Sequence, residues 1–158
     1  MRALRRAFFV LVALGSTAPG CHREPEDTPE TVLSAWVSAM NASRSDVDAR
    51  RRAYPLLSSR ARDSLTERAA RASQLSGRDV QPWEMLAPGR FAMRFAFDPD
   101  GLEARVEGEH ATVTARGRSG DHAEVPMVRE QGHWRVDLTL PAMEPIQSVS
   151  DAGAAATP

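Results

Sequence analysis

The chain reads as an α+β domain, with helices first and an antiparallel meander after them. Three observations predict this. Apolar residues recur at helical spacing between residues 28 and 76, and they alternate between residues 91 and 138. Gly108, Gly120 and Gly132 punctuate the alternating half at twelve-residue intervals, as in hairpins joined one after another. Runs of helices followed by runs of strands place the helices on one face of the sheet.

Thr28-Pro29-Glu30 opens the first helix: Thr caps, Pro is tolerated at the first helical position, and Glu suits the positive helix end. Val32, Leu33, Trp36, Val37 and Met40 form its apolar stripe, and Asn41-Ala42-Ser43 ends it. A second helix is expected from Asp46 to Tyr54, broken by Pro55, with Val47, Tyr54 and Leu57 as its apolar positions. Ser58 or Ser59 caps a third, with Ala61, Leu65, Ala69 and Ala72 on one side and Gly77 as its stop. Pro82 to Leu86 reads as a short helical turn.

The period then changes to two. Phe91, Met93, Phe95 and Phe97 predict a half-buried strand, and Asp98-Pro99-Asp100-Gly101 predicts a turn. Ala104 with Val106, then Val113, then Val125 with Met127 and Val128, and last Trp134, Val136 and Leu138 mark the remaining strands. The α+β domain therefore spans residues 28–142, long enough to bury a core. Residues 143–158 lack periodicity and are expected to be disordered.

The N-terminus carries Arg2, Arg5 and Arg6, an apolar run from Ala7 to Leu14, and small residues leading to the only cysteine, Cys21. That order is the layout of a secretory signal, and the run is far below the roughly 20 residues of a membrane-spanning helix. It resembles a bacterial lipoprotein signal, in which Cys21 becomes the lipidated N-terminus. Ala18 stands where such signals usually carry Leu, while Gly20 fits well; a plain secretory cut after Gly20 stays open. A lone thiol is a liability in an oxidising compartment unless it is modified. The expected division is a signal peptide over 1–20 and a lipidated cysteine with tether over 21–27. At about 3.3–3.6 Å per residue, that tether reaches roughly 20 Å.

Removing residues 1–20 takes away three arginines and no acid, leaving 17 basic against 21 acidic side chains. This balance gives no reason to expect nucleic acid as a partner. Every basic residue except histidine is arginine. Nine arginines lie between Arg44 and Arg78 against four acids, so a basic face for anionic head groups is conceivable. A solvated helix face around Arg50-Arg51-Arg52 is the simpler reading.

The stretch from Thr28 to Val37, then Tyr54-Pro55-Leu56-Leu57-Ser58, and the closing Arg129-Glu130-Gln131-Gly132-His133-Trp134-Arg135-Val136 resemble small bacterial domains of the nuclear transport factor 2-like (SnoaL-like, cystatin-like) superfamily. The resemblance covers most of residues 28–140. It implies a cone, with helices packed on a strongly curved sheet around a possible pocket. That fold hosts enzymes, ligand binders and interaction modules alike.

On that fold the candidate pocket residues are Trp83, Phe91, Met93, Phe95 and Trp134, with Ala104, Val106, Val113, Val125, Met127, Val136 and Leu138 also facing inward. Nearly all lack a titratable group, whereas enzymes of the superfamily place a His, Asp or Tyr inside the cone to move protons. Asp137 is expected on the solvent face. His110 and His133 share one end of the meander and His122 the other, too few donors at either for zinc. No phosphate-binding loop, dinucleotide-binding glycine pattern or nucleophile motif occurs in the sequence, so neither cofactor nor catalysis is expected. The expectation is an exported protein, lipid-anchored to a bacterial membrane, whose domain in the periplasm or at the cell surface binds an envelope protein or assists assembly. The alternative is a carrier or sensor of a small apolar ligand; an isomerase- or cyclase-type enzyme ranks below both.

Overall fold

The computed structural model of the chain describes residues 26–91 and 97–143. The predicted fold class holds: helices α1 (Pro29–Ala42), α2 (Val47–Ala53) and α3 (Ser59–Ser76) precede a four-stranded sheet, with a single turn of helix, α4 (Pro88–Phe91), between them. Strands β1 (Phe97–Glu107), β2 (His110–Gly117), β3 (His122–Glu130) and β4 (His133–Val136) pair antiparallel in sequence order, as a meander. Among the described residues no helix is long and apolar enough to cross a membrane.

The caps are where the sequence puts them. The Thr28 hydroxyl accepts from the Thr31 amide, and the Thr31 side chain accepts from the Thr28 amide in return. Ser58 caps α3, and Gly77 ends it in the left-handed region at φ 68°. A Cβ at Gly77 would meet nothing within 4 Å. Gly77→Ala is therefore expected to cost about 1 kcal/mol through backbone strain alone. Urea unfolding of the variant measures it.

Four expectations are corrected. Val47 is 56% exposed: α2 stops at Ala53 and turns against α1 through Ala49 and Ala53, whose small side chains permit close approach. Phe91 closes α4 instead of opening a strand. The turn expected at Asp98–Gly101 is an irregularity inside β1, between the register pairs Phe97–Gly117 and Leu102–Ala115. Asp98 still accepts from the Asp100 amide, but Gly101 lies against β2, where a Cβ would come within 3.3 Å of the Arg116 carbonyl oxygen. Val106 is 53% exposed on the sheet's edge strand, although its register partner Ala111 is buried. The expectations for Met93, Phe95, Cys21 and the tail beyond Met143 lie outside the described residues.

The core joins the two layers. Leu33, Trp36, Val37 and Met40 of α1 meet Ala53, Leu57, Ala61 and Leu65 from the other helical segments and Val113, Met127, Trp134 and Val136 from the sheet. Burial at this scale, about 25 cal/mol per Å² of apolar surface, supplies the main driving force. The sheet's β1 edge is tied to α1 by Glu30, whose carboxylate accepts from the Ala104 amide at 3.1 Å. Leu57, extended between α2 and α3, forms a one-residue parallel bridge with Val136.

Candidate functional site

Three aromatic candidates fall in different surroundings. Trp134 is 5% exposed in the core, with the Arg129 guanidinium 5.8 Å from its ring centroid. Phe91 is half-buried against the same core. Trp83 sits on the 3-10 turn Pro82–Met85, half-buried, beneath the Arg51 guanidinium at 4.8 Å. Beside it Glu84 accepts from the Gln81 amide and from Arg78, and these bonds hold its carboxyl below the ordinary carboxylate value. The Arg51 guanidinium thus covers the Trp83 ring at the surface of the helical layer.

The arginines of residues 44–78 are dispersed in the same manner. Arg51 pairs with Asp48, Arg52 with Asp46, Arg60 with Asp137, Arg62 with Glu130 and Arg78 with Glu84. The Arg52 bond is the first cause that holds the Asp46 carboxyl below its ordinary value. A face so interleaved with acids attracts an anionic surface weakly.

Asp137 is a correction. Its side chain is 21% exposed and accepts from the buried Ser58 hydroxyl at 2.7 Å and from Arg60 at 2.8 and 3.2 Å. Glu130 accepts from the Ser59 amide and hydroxyl beside it. Two carboxylates therefore sit at the positive end of α3. Both are occupied in joining helix to sheet, not aimed at a substrate.

A cleft of about 510 Å³ lies between the N-terminal half of α1 and β4. Val32, Ala35 and Leu56 give it an apolar floor; Glu26, Asp27, His133 and Arg135 form a charged rim. The rim is braced. Asp27 lies 2.8 Å from His133 Nδ1 and accepts from the Trp134 amide at 3.4 Å, while Arg135 donates to the Trp134 carbonyl. Thr31 supplies the cleft's hydroxyl, which donates to the Glu26 carbonyl at 2.6 Å. The Thr28 carbonyl is its other backbone acceptor, at 3.0 Å. The arrangement suits binding: an apolar floor with a few fixed polar groups around it.

Sequence reasoning missed this cleft. Helical spacing puts Val32 in the stripe facing the core, yet it flanks that stripe beside Leu33 and turns half outward. Asp27 reads as part of the tether. The separation of Asp27 and His133 by 106 positions left no local signal. No group of three or more His, Cys, Asp or Glu side chains among the described residues could hold a metal. No family model, curated protein or solved structure matches the chain.

Proposed function

We propose that the chain is an exported lipoprotein, anchored through lipidated Cys21, whose nuclear transport factor 2-like domain binds an envelope protein without catalysing a reaction. The supporting observation is the cleft between α1 and β4. It is open, floored by Val32, Ala35 and Leu56, and ended by Glu26 and Asp27. These two residues are the last of the expected tether, so a partner seated there is held close to the membrane. The space between helices and sheet is taken up by core side chains from both layers, which favours recognition on the outside of the domain.

Anchoring and recognition are tested separately. Cys21→Ser is expected to move the protein from the membrane fraction to the soluble envelope fraction; continued membrane fractionation would remove the lipid anchor from the reading. A photo-crosslinking residue at Ala35 is expected to capture one discrete envelope protein. Val32→Glu, which puts a charge on the apolar floor, should reduce that capture about tenfold or more. Equal capture from Thr114 on the opposite face of the sheet would sink the cleft as the binding site.

One observation favours the small-ligand alternative. Trp36 is 3% exposed, and its indole N–H has no hydrogen-bond partner among the described residues. A buried donor of this kind is satisfied by water or by an acceptor on a ligand. Native mass spectrometry of the protein from its host decides: a small mass lost on denaturation supports a carrier, and a clean apo mass supports the partner-binding reading.

A further inference from the structure

We propose that two copies of this chain pair through the exposed end of β1, antiparallel about a two-fold axis, with Val106 opposite the second copy's Val106. β1 is an edge strand of the sheet, and an edge strand offers unpaired amides and carbonyls to another strand. Glu30 reveals which ones. Its carboxylate accepts from the Ala104 amide, so that amide points away from β2. Backbone groups alternate sides along an antiparallel strand. Val106 therefore also turns its amide and carbonyl outward, while Arg105 and Glu107 bond to Thr112 and His110 across the β1–β2 ladder.

The second copy is selected by the side chains. Glu30 already occupies the Ala104 amide, which excludes a strand centred on Ala104 and leaves the end of β1 beyond it. Along that end, charge decides. Arg105 and Glu107 are exposed on the sheet face away from the helices, 3.3 Å apart. A two-fold through Arg105 would set that arginine against its own copy, and one through Glu107 would set two glutamates together. Like charges directly opposite are destabilising.

A two-fold through Val106 sets each Arg105 opposite the other copy's Glu107. The four charges then alternate around a square, at the non-hydrogen-bonded positions where facing side chains lie closest. On the other face the two Val106 side chains, each 53% exposed in the single chain, cover one another. Farther along, Glu103 is paired with Arg116 at 2.8 Å, so it adds little repulsion. Arg105-Val106-Glu107 is thus its own complement. The cleft between α1 and β4 lies at the opposite edge of the sheet, so pairing leaves one cleft open on each copy.

The test uses full-length chains in the host envelope. Val106→Cys places two thiols across the axis, where the Cα atoms of a hydrogen-bonded pair are about 5.5 Å apart. A short bismaleimide is expected to join two copies of this variant and not of the unmutated chain. In the same background, Arg105→Glu alone and Glu107→Arg alone should each lower the crosslinked fraction about tenfold. Co-expressed with different tags, these two variants should crosslink to each other at the original level, because all four charges are again opposed. Absence of a crosslink from Val106→Cys, equal crosslinking in every variant, or no recovery in the mixed pair would overturn the proposal. A crosslink to a different protein would overturn the second copy as the occupant of this edge.

Discussion

Leu57→Ala is expected to cost about 3 kcal/mol of folding stability. Leu57 is 0% exposed and sits in the short extended link where the helical layer turns onto the sheet. Its backbone is held by the bridge to Val136, itself 0% exposed, and the Ser58 amide that follows donates to the Val136 carbonyl at 2.9 Å. The surroundings cannot collapse into the vacated space, because pairing fixes the main chain on both sides. The cavity therefore stays open and its cost adds to the lost transfer energy. Against a total stability of about 5–15 kcal/mol, that is a large fraction. The urea midpoint should fall with little change in slope; a loss under about 1 kcal/mol would mean that the link repacks.

Ser58→Ala should follow, at about 2–3 kcal/mol. The Ser58 hydroxyl does two things at once: it accepts from the Ala61 amide at 3.2 Å and donates to Asp137 at 2.7 Å. Its removal uncaps α3 and takes a charge-assisted bond from a largely buried carboxylate. Arg60→Ala, which leaves the serine bond in place and removes a half-exposed partner, should cost less than about 1 kcal/mol. A double-mutant cycle of Ser58→Ala with Asp137→Asn measures the shared part directly. Coupling near zero would show that the cap alone accounts for the loss.

These two residues also mark how far the sequence could be read. Ser58 is legible as an N-cap from its place before Ala61 and Leu65, because a cap depends on residues three or four apart. Its second bond is not, since Asp137 lies 79 positions away. Asp137 alternates with Val136 along the strand and so looks like a solvent-facing acid. The chain order of the fold, not the strand period, brings the start of α3 over it.

The local features of the fold follow from nearest neighbours in sequence. Thr28 with Pro29 starts α1, Gly77 stops α3, and the two-residue loop Gln131–Gly132, with φ of 53° and 83°, turns β3 into β4. The switch from helical to alternating spacing settles the α+β class, because burial on one face imposes the period on each element. Tertiary structure decided the rest. It chose Ala49 and Ala53 over Val47 as the buried face of α2, absorbed the polar run Asp98–Gly101 into β1, and set Asp27 against His133 to build the cleft. Those outcomes depend on which surfaces meet once the elements pack, and contacts between residues far apart in the chain leave no period to read.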